Sequence, residues 1–397
     1  MPEKKQNDNK TEQPTKSVNA TIKTVGIVLL VILLGAMMLK NHLFKPGLHK
    51  TDGKTMGTDY YVIVCADSSW GWERTASAIE NELVRVNQMM STFIDDSEIT
   101  KFNDNPSTDW VEVSPEMVKL VKLSKDVSSI VDGKFDITVG PLVDLWGFGK
   151  KQRKLTAPPA PADIGITLLN CGLDRLEYQE SPPALKKKVP ELRIDLSGVA
   201  KGYGVDCVAA LLEKRGYTNY MVEIGGETRT KGHKVVLQEQ NGWFSMFSAD
   251  SKMVPWVIGI EQPVPLESFE LPIVALKANL NDRAMATSGD AHNVREIGGK
   301  RYMHIIDPKS GDAVTPEQLG TEVDGEELGS VSVVADTCAE ADALATGFYL
   351  LGVKRGIETA NARELAVVYL IRTGELDNPV RAVMSDAYKN NYELIQK

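Results

Sequence analysis

The sequence predicts an α+β domain, a mixed α/β fold in one large unit, behind an N-terminal transmembrane helix. Three observations predict it. Runs of β-branched and aromatic residues intermix with stretches of helical spacing, without the regular rhythm of a doubly wound sheet. Hydrophobic residues make up 42% and charged residues 25% of 397, a globular composition that excludes wholesale disorder and a polytopic membrane protein and leaves enough chain for a sizeable core. Thr24 to Leu39 (TVGIVLLVILLGAMML) is an uncharged apolar run bracketed by Lys23 and Lys40.

That run is shorter than the ~20 residues of a full span, but the flanking lysines can snorkel and extend it. A cleaved signal peptide is the alternative reading. The long polar leader and the absence of an A-x-A site favour an uncleaved anchor over residues 24–40, with 1–23 as a cytoplasmic leader. Five lysines precede the span and three follow it closely, so the positive-inside rule places the leader in the cytoplasm and the body outside it. The expectation is a single-pass protein of a bacterial inner membrane with its domain on the periplasmic, extracytoplasmic side.

Within the body, Lys54 to Cys65 ends in a strand-like run. Ile79, Leu83, Val86 and Met90 give Glu73 to Met90 a helical face. Ser114 before Pro115 and Glu116 reads as an N-cap opening a helix to about Ile130. Residues 150–163 read as a basic, Pro-rich loop. Leu192 to Leu196 reads as a strand, Ala200 to Arg215 as a helix, and Tyr220 to Ile224 as a strand closed by Gly225 and Gly226. Residues 232–255 read as an inserted hairpin or loop. Ser330 to Ala335 alternates as a strand, and Ala339 to Leu351 is helical. Four cysteines (Cys65, Cys171, Cys207, Cys338) show no CxxC pairing; disulfides and buried thiols both fit.

Net charge is −9 overall. Residues 1–50 carry eight Lys and three acids, which leaves −14 on the rest. An acidic body argues against nucleic acid as a partner.

Four clusters could carry chemistry. Gly133 to Gly149 (GKFDITVGPLVDLWGFG) mixes glycines with apolar and aromatic residues, suited to a flat ring or to a tight turn between core strands. Arg193 to Asp206 (RIDLSGVAKGYGVD) places Asp195 at a strand end and Lys201 at a helix start. That is a place for a pyrophosphate or simply a capped helix; the P-loop spacing is absent. Ala286 to Asp290 (ATSGD) and Tyr302 to Gly311 (YMHIIDPKSG) bring a candidate proton shuttle, His304, three residues from Asp307. In Ser332 to Thr346 (SVVADTCAEADALAT), Asp342 and Thr346 are one helical turn apart. They can offer oxygens to a hard cation, or the acids can merely complement the helix dipole.

In this order, with TMGT at Thr55–Thr58, MSTFIDDSEITKFN and the Gly-Gly of VEIGGE, the motifs resemble the FAD:protein FMN transferase (ApbE) family over roughly residues 51–390. The loop near 150–163 and the insertion near 232–255 depart from it. The resemblance implies an ApbE-like flavin transferase domain that takes FAD as substrate, needs Mg2+, and joins FMN by a phosphoester bond to a Thr, sometimes Ser, of another protein, releasing AMP. By position it implies flavin-nucleotide contacts at Met56, Phe93, Lys134, Phe135, Asp136, Asp195, Lys201 and Ile306. It implies metal ligands at Gly198 (carbonyl), Asp342 and Thr346, and an active-site turn at His304 and Asp307, with His304 as base. Expected acceptors are subunits of membrane redox complexes, such as sodium-translocating NADH:quinone oxidoreductase or Rnf, carrying a D-G-x-T-S-A-T-like segment. An FAD pyrophosphatase and a non-catalytic flavin-binding protein are the competing readings.

Overall fold

The computed structural model describes residues 47–66, 71–237, 251–263, 273–289, 294–315, 319, 326–373 and 379–392, together with 29, 30, 32, 33 and 35. Those five N-terminal residues are helical. The rest of the expected anchor lies outside the described residues. Among the described residues no helix is long and apolar enough to cross a membrane. The chain divides into two units, Met1–Gly47 with Asp67–Trp70, and Leu48–Ala66 with Gly71–Lys397. The second holds the sheet and the candidate site.

Eight strands form the sheet: β1 (Gly47–Thr55), β2 (Thr58–Ala66), β3 (Tyr220–Ile224), β4 (Glu227–Lys231), β5 (Ala284–Gly289), β6 (Glu327–Ala335), β7 (Ala366–Arg372) and β8 (Val380–Met384). Their order across the sheet is their order in the chain. From β2 to β8 every neighbour pairs antiparallel. The sheet is therefore a meander into which long segments are inserted, which is why no βαβ rhythm is visible in the sequence.

Four helices matter most: α1 (Trp72–Met90), α2 (Pro115–Ile130), α3 (Ser197–Lys214) and α4 (Cys338–Leu351). In α2 the Ser114 side chain accepts from the Met117 amide and Pro115 occupies the first turn, as the sequence predicts. Val331, Val333, Val367 and Tyr369 share a core with Leu344, Phe348 and Val199, while Val334, Val368 and Leu370 join a separate core with Ile260 and Tyr388. This alternation buries both sheet faces at β6 and β7 and explains their near-continuous apolar runs.

Some expected elements hold and others differ. The strand-like run that ends Lys54 to Cys65 is β2, and it is the second arm of a hairpin with β1. Met56 (φ 50°) and Gly57 (φ 79°) form its two-residue turn, with the paired positive φ that matches the twist of the flanking strands. Leu192 to Leu196 is not a strand. It keeps one bridge, Val139 to Arg193, and the Asn103 amide serves both the Ile194 N–H and C=O. The α3 helix starts at Ser197 instead of Ala200, so Lys201 sits inside it; Asp195 accepts from the Ser197 amide and brings the start forward. The loop near 150–163 ends early, because a helix begins at Pro161. The 232–255 insertion is a hairpin, Lys234–Leu237 against Ser251–Val254, with 238–250 outside the described residues. All four cysteines are free thiols.

Candidate functional site

The site lies where α3 and α4 cross. A Cβ on Gly202 of α3 would stand 2.2 Å from the Cys338 carbonyl oxygen, so only glycine permits this approach. The crossing is fixed by Asp206. Its carboxylate accepts from the Cys338 and Ala339 amides (3.0 and 2.9 Å) and pairs with Arg229 of β4. It thereby satisfies donors that open α4, alongside the Thr337 cap.

Asp342 projects from α4 to the start of α3. It is 2% exposed, and its Oδ2 accepts from the Gly202 amide at 2.9 Å. In a regular helix that amide would serve the Gly198 carbonyl. One turn along α4, Thr346 lies under the same start: a Cβ on Gly198 would be 3.3 Å from Thr346 Oγ1 and 3.0 Å from the Phe135 ring. Ser288 of β5 approaches Thr346 Oγ1 at 3.4 Å. Lys201 Nζ sits 3.0 Å from Glu227 Oε1 and 3.6 Å from Asp342 Oδ1. Gly198, Lys201, Asp342 and Thr346 are thus brought together.

Electrostatics at this cluster favour cations. Glu227 is 2% exposed; burial, reinforced by the Asp342 charge, pushes its carboxyl up to about 8 against the pull of Lys201. Burial alone would lower the Lys201 ammonium, but Asp342 and Glu227 outweigh it and raise it. Two carboxyl groups therefore flank one ammonium, and Glu227 Oε2 has no hydrogen-bond partner among the described residues. Among the described residues no group of three or more His, Cys, Asp or Glu could hold a metal. The oxygens that could serve a cation are instead one carboxylate, one hydroxyl and one carbonyl. That all-oxygen set fits a hard ion such as Mg2+, which keeps water and phosphate oxygens for its other positions.

The flavin-contact candidates fall into two sets. Lys134 pairs with Asp307 (2.5 Å), and the Asp195 amide bonds the Ile137 carbonyl (2.7 Å), so the KFD segment joins the HxxD turn to the start of α3. Phe135 is buried beside Gly198. Met56 reaches α3, where a Cβ on Gly204 would meet its Cε at 2.9 Å. The others serve the protein itself. Asp136 accepts from the Thr138 amide and hydroxyl and from the Leu173 amide, and burial raises its pKa. The Ile306 side chain packs with Leu142, Trp146 and Ile164. Phe93 stands apart, 51% exposed on the loop after α1.

His304 is partly buried at the end of the strand Lys300–Met303, between residues whose backbones bond Val314. Both Asp307 oxygens are engaged, by Lys134 and by the Lys309 amide, in a turn closed by Gly311. Trp146 donates to the Gly311 carbonyl at 2.9 Å and so ties WGFG to that turn. Asp290 lies outside the described residues.

Sequence reasoning missed Glu227, Ser288 and Asp206 as parts of this constellation. Glu227 carried no signal: alternation along β4 puts it on the face of Arg229 and Lys231, although it is buried.

The model of the ApbE family matches residues 56–369. The FAD:protein FMN transferase of Haemophilus influenzae is 36% identical, over 85% of this chain and 89% of its own length. That of Vibrio cholerae is 35% identical, over 85% and 90%. Among solved structures, the flavin transferase ApbE from Vibrio cholerae superposes with a TM-score of 0.70 at 32% identity, covering 87% of this chain and all of that one. The apo flavinyl transferase ApbE of Pseudomonas stutzeri gives 0.71 at 28% identity, covering 88% and 98%. With its fold, its gathered motifs and its relatives in agreement, the chain belongs to the ApbE family.

Proposed function

We propose that this protein is an FAD:protein FMN transferase whose reaction centre is the crossing of α3 and α4. The observation that carries the reading is that Gly198, Lys201, Asp342 and Thr346, from two distant segments, meet beside Phe135 and the Lys134–Asp307 pair. The activity given for the transferases of Haemophilus influenzae and Vibrio cholerae supports it.

In this reading the hydroxyl oxygen of an acceptor Thr or Ser attacks the FMN-side phosphorus of FAD. A phosphoester forms, the phosphoanhydride breaks, AMP leaves with the electron pair, and the hydroxyl proton passes to His304. A Mg2+ held by Asp342, Thr346 and the Gly198 carbonyl would supply Lewis acidity and neutralise diphosphate charge. Lys201 brings a fixed positive charge to the same place. Phe135 gives an apolar wall next to it, and Asp307 holds Lys134 at the mouth of the turn that carries His304.

We further infer that residues 24–40 anchor the chain in a bacterial inner membrane, with the domain on the extracytoplasmic side. Its acceptors are then membrane redox subunits with a D-G-x-T-S-A-T-like segment, of the NADH:quinone oxidoreductase or Rnf kind. The two lysines bracketing the apolar run support this topology.

The test incubates the protein with FAD, Mg2+ and an acceptor bearing that segment and reads flavin fluorescence in a denaturing gel. Wild type should label the acceptor, and a chelator or Asp342→Asn should abolish labelling with the fold retained. Normal labelling by Asp342→Asn would remove Asp342 from the mechanism.

A further inference from the structure

Lys201 has two carboxylate neighbours, and only one of them belongs to the cation site. Asp342 has one oxygen committed to the Gly202 amide, so Oδ1 is the oxygen left for an ion. Oδ1 is also the one nearest the ammonium, at 3.6 Å. A lysine free to settle would close to the ~2.8 Å of a charge-assisted hydrogen bond and neutralise that oxygen. What opposes this is Glu227, which takes the ammonium at the shorter distance of 3.0 Å. Glu227 is well placed to do so. It is the first residue of β4, held in the sheet by the β3–β4 pairing, and is almost wholly buried. Its side chain pairs with Lys201, and its second oxygen has no hydrogen-bond partner among the described residues.

We propose that Glu227 is a positioning residue of the cation site: it holds the Lys201 ammonium off Asp342 and so keeps Asp342 Oδ1 open to a divalent ion. The inference rests on the transferase reading only in taking the ion to be one that this reaction uses.

The experiment titrates the full chain with Mn2+, without FAD, and follows free Mn2+ by electron paramagnetic resonance. Glu227→Ala, which removes the acceptor, should weaken Mn2+ binding by about tenfold or more, because the ammonium is released onto Asp342. Adding Lys201→Met to Glu227→Ala should restore most of that loss, since the competing cation is gone. Lys201→Met alone should bind Mn2+ at least as tightly as wild type, which keeps the test valid if Glu227→Ala misfolds. Unchanged affinity in Glu227→Ala, a loss that Lys201→Met fails to restore, weaker binding by Lys201→Met alone, or no Mn2+ binding by wild type would each overturn the proposal. FMN transfer by wild type is assayed in parallel. The predicted Mn2+ pattern without flavin attachment sinks the transferase reading and leaves the role of Glu227 standing.

Discussion

Glu227 carries a charge cost that pH should reveal. Its carboxyl, buried against Lys201, Asp342 and the Cys338 thiol, is raised from 4.5 to about 8, first by desolvation and then by Asp342. Between roughly pH 5 and 8 the folded, metal-free chain thus keeps a proton that the unfolded chain has lost. With fewer protons bound in the unfolded state, stability falls as pH rises through that window. Thermal melts in chelator should show wild type losing more stability between pH 5.5 and 8 than Glu227→Gln; parallel pH curves would count against the raised pKa. Asp342 and Thr346 were legible from their one-turn spacing, and Gly198 and Lys201 from the family resemblance. Glu227 and Ser288 were not, because each reaches the site across a strand pairing that no local spacing reveals.

Among the elements, the α3–α4 contact controls the geometry of the site, and Gly202 controls that contact. Gly202→Ala places a methyl group against the Cys338 carbonyl and must push the helices apart. It should cost about 1–3 kcal/mol of stability and lower FMN transfer by more than the stability loss explains, because Asp342 and Thr346 shift away from Gly198. Unchanged kcat with an unchanged melting temperature would show that the helices are free to adjust. The helices over Glu73 to Met90, Pro115 to Ile130 and Ala339 to Leu351 were readable because their apolar spacing or caps are strong. The strand at Ala284–Gly289 was not, since Ala, Ser and Gly have little strand preference; antiparallel pairing with β6 makes it one. Leu192 to Leu196 misled in the opposite way, a strand-like run whose backbone is served by Asn103.

For the molecule as a whole, the meander explains why fold class was legible and topology was not: adjacent strands are separated by insertions as long as residues 67–219. The sheet begins at Gly47, so a chain lacking residues 1–46 should fold with the melting temperature of the full chain and stay soluble, while the full chain sediments with membranes. Co-sedimentation of both forms would show that the N-terminal run is not the anchor. In the proposed reaction one phosphoanhydride bond is exchanged for one protein phosphoester. Its most direct test is stoichiometry: with FAD, Mg2+ and an acceptor of the proposed kind, AMP released and acceptor-bound flavin are counted together. One bound flavin per AMP and negligible free FMN are expected. Equal amounts of AMP and free FMN, with no flavin on protein, would contradict it and make the enzyme an FAD pyrophosphatase.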